Sequence, residues 1–137
     1  MFRCSAFASI ALILGSSVPA SAQVIVGNAT VIDGDTIDMN GTHIRLAHID
    51  APEAQQTCNR EGVEWACDAA ATEALSSVLD GQSVSCSSID TDIHGRQVAH
   101  CQTPVFALGR EMVRRGLAIT LDNAPYEYGE AAKIAHA

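Results

Sequence analysis

Residues 33–53 read DGDTIDMNGTHIRLAHIDAPE and contain the most informative pattern for the fold. Two runs rich in apolar and β-branched residues, 36–39 and 42–49, flank the pair Asn40-Gly41. Asn-Gly readily takes the positive φ angles of a type I′ turn, so these runs predict a β-hairpin. A further strand is predicted before it at 23–32, with a weak point at Gly27-Asn28. Three strands therefore open the domain.

Helical and strand patterns alternate along the rest of the chain. Between residues 68 and 79, apolar residues recur at helical spacing: Ala71, Leu75, Val78 and Leu79. This stripe predicts an amphipathic helix that ends at Gly81. Residues 82–89 and 96–102 predict a second hairpin, 108–115 a helix, and Pro125 the start of a last short helix. The order predicts a mainly β, α+β fold: a five-stranded barrel with a helix between strands 3 and 4 and further helices C-terminal to it.

The first 22 residues have the composition of a secretory signal peptide, with one basic residue, Arg3, an apolar run, and small residues before Gln23. The apolar run is much shorter than the ~20 residues that a bilayer crossing needs. We therefore expect residues 1–22 to be removed, leaving no membrane anchor and one secreted or periplasmic domain at 23–137. That domain has seven Lys or Arg against sixteen Asp or Glu, a formal charge of −9.

Four cysteines follow the leader: Cys58, Cys67, Cys86 and Cys101. An even number of cysteines in an exported chain favours disulfides over metal ligation, and four of them permit three pairings. Cys86 and Cys101 flank the turn of the second predicted hairpin almost symmetrically, which favours a bond between them. Cys58 would then pair with Cys67.

Two acidic clusters carry the first indication of chemistry. Asp33 and Asp35 lie two residues apart around a glycine. Asp50 and Ala51 precede Pro52, which keeps Ala51 extended and so fixes its carbonyl relative to the Asp50 carboxylate. With Asp35, these groups could offer three oxygens to a hard cation such as calcium. Taken alone, each cluster is also what an ordinary turn with solvated acids presents.

Two arginines and a glutamate complete the pattern. Arg45 precedes the second acidic cluster and Glu53 ends it, while the turn DIHGR at 92–96 delivers Arg96 to the start of a strand. Oxygen donors, a lone glutamate and two arginines are the components of metal-assisted phosphodiester hydrolysis. Their combination is more informative than any one of them.

The motifs DGDTI, RLAHIDAPE and HGR, followed by GREMVRRGLA, resemble the staphylococcal nuclease, or thermonuclease-like, family in order and spacing over residues 31–118. The resemblance implies an OB-fold barrel and calcium-dependent hydrolysis of DNA and RNA that leaves 3′-phosphate ends. It also implies that Asp35, Asp50 and the backbone carbonyl of Ala51 bind calcium. Asp33 would orient water on the metal.

The same resemblance implies the catalytic residues. Glu53 would position or deprotonate the attacking water. Arg45 and Arg96 would bind the phosphate and stabilise the charge that develops on its oxygens, a task for which planar guanidinium groups are well shaped.

Two departures from the family point to weak binding of DNA and RNA. The positions of the nucleotide-stacking tyrosines of the best-known member fall near His94, Asp122 and Ala124 here, and the charge of −9 opposes phosphate binding. We expect a monomer that prefers single strands. The alternative is a catalytically idle OB-fold module that binds nucleic acid or protein. Trp65, the single tryptophan, is interpreted as packing against a helix.

Overall fold

The computed structural model describes Gly15 and residues 23–136. Apart from Gly15, the predicted signal peptide at 1–22 lies outside the described residues. The strands and helices of the described chain, in order, are β1 (Val24–Gly27), β2 (Thr30–Asp33), β3 (Thr36–Met39), β4 (Thr42–Leu46), β5 (Ile49–Asp50), β6 (Cys58–Arg60), β7 (Val63–Trp65), α1 (Cys67–Leu79), β8 (Val84–Thr91), β9 (Gln97–Gln102), α2 (Leu108–Arg114), β10 (Ile119–Thr120) and α3 (Tyr126–Ala135).

Six strands form one sheet in the order β1-β8-β9-β4-β3-β2. Neighbouring strands are antiparallel except for β4 and β9, which are parallel. β1 and β2 follow each other directly along the chain but lie at opposite edges, so the sheet curls round as a half-barrel. The α+β fold class predicted from the sequence is confirmed: this is an OB-like sheet with one helix between its hairpins and two helices after them.

Three details differ from the predicted five strands. The first predicted strand divides after Gly27, and its halves pair with different partners, β8 and β3. The predicted strand at 42–49 ends at Leu46, because His48 takes a positive φ of 66° that interrupts the strand before β5. Two small pairs, β5 with β10 and β6 with β7, were not predicted. The Asn40-Gly41 turn does have the expected positive φ angles, 54° and 84°.

The core lies between the concave side of the sheet and the helices. The predicted stripe of α1, which is Ala71, Leu75, Val78 and Leu79, is fully or almost fully buried. It packs with sheet residues that include Ile37, Ile44 and Val84, and with Leu108 and Met112 of α2. Burial of this apolar surface is the main driving force for the fold. It also fixes the positions from which the polar residues described below project.

Both disulfides have the pairing favoured from the sequence. Cys86 and Cys101 face each other directly in the register of β8 and β9. Cys58, the first residue of β6, is bonded to Cys67, the first residue of α1. Two disulfides are typical of proteins from an oxidising compartment. Within the described residues, no helix has the length and hydropathy to span a bilayer.

Candidate active site

The turn between β2 and β3, which carries Asp33 and Asp35, is packed tightly against two other elements. A Cβ added to Gly34 would lie 2.6 Å from the Cβ of Ala71 on α1 and 2.8 Å from the Cβ of Ala51. An approach this close requires a residue without a side chain. The turn is thereby fixed both to the helix and to the segment that follows β5.

Asp35 is buried at the base of this turn. The hydroxyl of Thr36 donates a hydrogen bond to its Oδ1 at 2.9 Å, and the backbone N–H of Ala51 donates to its Oδ2 at 3.0 Å. Burial raises the pKa of Asp35, and the Ala51 amide and the Arg45 guanidinium offset only part of this effect. Nearby Asp33, whose Oδ1 accepts the Asp35 backbone N–H at 3.2 Å, adds further negative charge. Burial therefore disfavours the ionised form of this carboxyl group.

Arg45 on β4 joins the two acidic clusters. Its Nη2 lies 3.2 Å from Oδ1 of Asp50 and 3.5 Å from Oδ2 of Asp35. One cationic nitrogen is thus shared by two carboxylates that are 15 residues apart in the sequence. We call Asp33, Asp35, Arg45 and Asp50 the acid wall.

The turn at 92–96, which we call the turn wall, positions Arg96. Asp92 Oδ2 accepts a hydrogen bond from Arg96 Nε at 2.7 Å. Its Oδ1 accepts the backbone N–H groups of His94 and Arg96, both at 2.9 Å. Although desolvation opposes it, these hydrogen bonds lower the pKa of Asp92. The carboxylate therefore stays ionised and fixes both the turn and the guanidinium.

The two walls face a cleft of about 270 Å³. It is lined by Asp33, Asp35, Arg45, Glu53, Asp92, Ile93, His94, Arg96 and Val98. Both predicted arginines and the exposed predicted glutamate thus meet at one opening. A larger cleft of about 450 Å³ lies elsewhere, beside α2 and α3, and contains no carboxylate in its lining.

Two predicted site residues adjoin this cleft without lining it. Asp50 accepts a hydrogen bond from Arg45, and the backbone N–H of Ala51 donates one to Asp35. Asp92, in contrast, lines the cleft but was not singled out from the sequence. The signal that could have identified it is its spacing, since an acid four residues before an arginine across a glycine-containing turn can hold that arginine.

The donor atoms in this region show whether it could hold a metal ion. Among residues 23–136, no three His, Cys, Asp or Glu side chains are grouped so that they alone could hold one. The oxygen chemistry nevertheless suits calcium, which takes 6–8 oxygen ligands and accepts waters and carbonyls beside a few carboxylates. Asp35 and Asp50 already converge on one cationic group, Nη2 of Arg45. The residues present therefore fit a calcium ion that is held by few protein ligands.

Comparison with known proteins decides the family. Residues 43–137 match the sequence profile of the family described as staphylococcal nuclease homologue. The chain belongs to the staphylococcal nuclease family. It is also 34% identical over 96 residues to the succinoglycan biosynthesis protein ExoI of Rhizobium meliloti, an alignment that covers 69% of this chain and 50% of that protein. The chain thus spans about half the length of this curated relative.

Family membership accounts for the nuclease-like fold. The matched range contains Arg45, Asp50, Glu53 and Arg96, whereas Asp33 and Asp35 precede it. The name of this relative refers to succinoglycan biosynthesis and not to cleavage of nucleic acid.

Proposed function

We propose that this chain is an exported, calcium-dependent nuclease that hydrolyses phosphodiester bonds of DNA and RNA and leaves 3′-phosphate ends. The observation that carries the proposal is the cleft in which Asp35, Arg45, Glu53 and Arg96 meet. Two guanidinium groups, one carboxylate free to act on water and one buried carboxylate are what hydrolysis of a phosphodiester needs. Membership of the staphylococcal nuclease family supports the proposed nuclease function.

Arg45 and Arg96 are assigned to the phosphate. Each has its guanidinium oriented by carboxylates before substrate enters, Arg45 by Asp35 and Asp50 and Arg96 by Asp92. Donors that are fixed in advance stabilise developing negative charge without reorganising during the reaction. The two arginines would therefore hold the phosphate from both sides of the cleft and stabilise its equatorial oxygens in the transition state.

Glu53 is assigned to the attacking water. Its backbone is fixed, because its N–H donates to Oε1 of Gln56 at 3.0 Å and its carbonyl accepts the Gln56 N–H at 2.9 Å. Its side chain is solvent-exposed and lines the cleft. A carboxylate in that position can accept a proton from a water molecule that approaches a phosphate held by the arginines.

Asp35, Asp50 and the Ala51 carbonyl would hold calcium, with Asp33 beside them as a carboxylate that orients water. When bound, calcium would supply positive charge that polarises the phosphate. The convergence of Asp35 and Asp50 on one cationic nitrogen of Arg45 supports this assignment. Because few protein carboxylates are involved, we expect an affinity in the range of about 10⁻⁴–10⁻³ M, as in extracellular calcium sites.

The location of the protein follows from its leader and its disulfides. Residues 1–22 would direct export and be removed, which leaves residues 23–137 as the active domain. The Cys58–Cys67 and Cys86–Cys101 disulfides support a secreted or periplasmic location, since such bonds persist in oxidising compartments. We expect this domain to act as a monomer.

The test is hydrolysis of single-stranded DNA and RNA by residues 23–137 with disulfides intact, in calcium and in chelator. Cleavage in calcium should stop in chelator and should fall by about 10²-fold or more in Glu53→Gln. Glu73→Gln is the matched control, because Glu73 is exposed on α1 and lines none of the clefts described here. It should cleave like the parent chain.

A second function is favoured by the formal charge of −9, which opposes phosphate binding. It is an idle OB-fold module that binds nucleic acid or protein without cutting. A folded chain that shows no cleavage with or without calcium would establish this alternative and exclude the nuclease.

A further inference from the structure

The β6–β7 hairpin presents a cation and an aromatic ring on one face. In its register Cys58 pairs with Trp65 and Arg60 with Val63, while Asn59 pairs with Glu64 between them. Because side chains alternate between the faces of a strand, Trp65, Arg60 and Val63 share one face and Glu64 lies on the other. The Arg60 Cζ lies 5.0 Å from the centroid of the Trp65 ring.

That face borders an apolar hollow of about 190 Å³ beside the acid wall. The hollow is lined by Asp50 and Pro52, by Trp65 and the Cys58–Cys67 disulfide, and by Ile119. The pairing of β5 with β10 places Ile119 directly opposite Asp50. Ile119 is 66% exposed, so the hollow is open and its apolar wall is in contact with solvent.

The hollow continues into the larger cleft beside α2 and α3. Both are lined by Gly116, Ala118 and Ile119, and the larger cleft adds Arg60 and Arg115. These are two of only seven basic residues in the domain. The result is a groove that begins at an acid-wall residue, passes a flat aromatic and apolar section, and ends at two guanidinium groups.

We propose that this groove is a nucleotide subsite of the nuclease: a base packs against Trp65 beside Asp50, and the phosphate next to that base pairs with Arg60. The assignment rests on the proposed function, which places the scissile phosphate in the adjoining cleft. Apolar and aromatic surface suits the face of a base, and a guanidinium suits a phosphate. Arg115 is the lesser contributor, because its Nε already donates to Oε1 of Glu111 at 2.9 Å.

The subsite accounts for a preference for single strands. A base can reach Trp65 only when it is unstacked and unpaired, which costs little in a single strand and more in a duplex.

Trp65 is the single tryptophan, so its emission reports directly on the groove. The experiment titrates residues 23–137 carrying Glu53→Gln, in calcium, with a ten-residue thymidine oligonucleotide and with an abasic oligonucleotide of equal length. Fluorescence anisotropy of end-labelled oligonucleotide gives affinity independently. The thymidine oligonucleotide should change Trp65 emission saturably and bind about tenfold more tightly than the abasic one, as expected for one stacked base.

Variants then separate the two contacts. Trp65→Ala should weaken binding of the thymidine oligonucleotide about tenfold, whereas Trp65→Phe should retain affinity within about threefold because it keeps an aromatic face. Arg60→Gln should weaken binding of both oligonucleotides and reduce its salt dependence. Arg114→Gln removes the same charge from an exposed position on α2 that lines neither part of the groove, and it should have the smaller effect.

The titrations and the variants together test whether the nucleotide subsite exists. Binding that leaves Trp65 emission unchanged, equal affinity for the abasic oligonucleotide, or Trp65→Phe as weak as Trp65→Ala would overturn the subsite, as would no binding at all. Cleavage is measured separately in the parent chain. If the chain binds as expected but does not cleave, the nucleotide subsite is supported and the nuclease function is excluded. If the parent chain cleaves and Trp65→Ala leaves KM unchanged, the nuclease function is supported and the subsite is excluded.

Discussion

The two walls of the cleft are held in place by different means. The acid wall is tied to the core: Gly34 touches α1, Asp35 is buried, and Arg45 is shared by two carboxylates. The turn wall stands at the exposed end of a hairpin, and one carboxylate, Asp92, organises it. Of the two arginines proposed to bind phosphate, Arg45 is therefore positioned by the fold and Arg96 by its local turn.

Removal of either arginine should produce the largest loss of activity. Arg45→Gln and Arg96→Gln should each reduce kcat by about 10²–10³, the cost of losing one donor to the transition state. Their calcium binding should differ. Arg45→Gln removes the cation that competes for Asp35 and Asp50, so calcium should bind more tightly, whereas Arg96→Gln should leave calcium affinity unchanged. Calorimetric titration with calcium, beside steady-state rates, measures both quantities.

Arg110→Gln serves as the control, since Arg110 contacts neither wall. An unchanged calcium affinity in Arg45→Gln would mean that Arg45 does not compete with the metal. It would also remove the proposed difference between the walls.

The dependence of the acid wall on the core is tested at Gly34. Gly34→Ala should cost about 1–3 kcal/mol of unfolding free energy, because the added methyl cannot avoid Ala71 and Ala51 unless the helix or the turn moves. Gly129→Ala is the control: nothing lies within 4 Å of its added methyl on α3, and alanine should stabilise that helix by about 0.5–1 kcal/mol. Urea unfolding measures both. Equal free energies of unfolding for the two variants would show that the close packing at Gly34 does not contribute to stability.

The local organisation of the turn wall is tested at Asp92. An Asn side chain has one amide oxygen and no charge, so it cannot accept hydrogen bonds from both the turn amides and Arg96. Asp92→Asn should lower kcat about tenfold, because Arg96 loses its charge-assisted hydrogen bond, and should also lower the unfolding free energy, while calcium affinity stays nearly unchanged. Asp90→Asn makes the same charge change two residues away and should leave kcat intact. A fall in stability without a fall in kcat would assign Asp92 to the hairpin alone.

The same contrast explains what could be predicted from the sequence. The Asn40-Gly41 turn and the α1 stripe were predicted because local chemistry alone determines them. The acid wall and both arginines were predicted as one set because ordered motifs carry them.

The β6–β7 hairpin was not predicted. Its strands have three residues each, and its turn uses Glu61 rather than asparagine at a positive φ of 51°. The neighbourhood of Trp65 and Asp50 depends on the pairing of β5 with β10, two-residue strands about 70 residues apart in the sequence. No local pattern encodes such a contact, because it exists only once the core has brought α2 beside β5.

A smaller effect is expected at Glu111, which lies outside both walls. Arg114 donates to its Oε1 at 2.6 Å and to its Oε2 at 2.8 Å, and Arg115 donates to its Oε1 at 2.9 Å. The hydrogen bond from Arg114, opposed by burial and aided by Arg115, lowers the pKa of Glu111. A carboxylate whose pKa is lower in the folded chain than in the unfolded one stabilises the fold above its unfolded pKa, about 4.3, and loses that contribution as the pH falls through the folded pKa.

Glu111→Gln should therefore cost about 0.5–1 kcal/mol at pH 7, and the difference from the parent chain should shrink below pH 4. Urea unfolding across this pH range measures the difference. Glu130→Gln, which breaks an exposed pair with Lys133, should change stability less at either pH. Because Glu111 contacts neither arginine of the cleft, cleavage at pH 7 should be unchanged in the folded variant. A loss of cleavage without a loss of stability would mean that α2 helps to position the acid wall. The packing that positions this wall would then include α2 as well as Gly34 and α1.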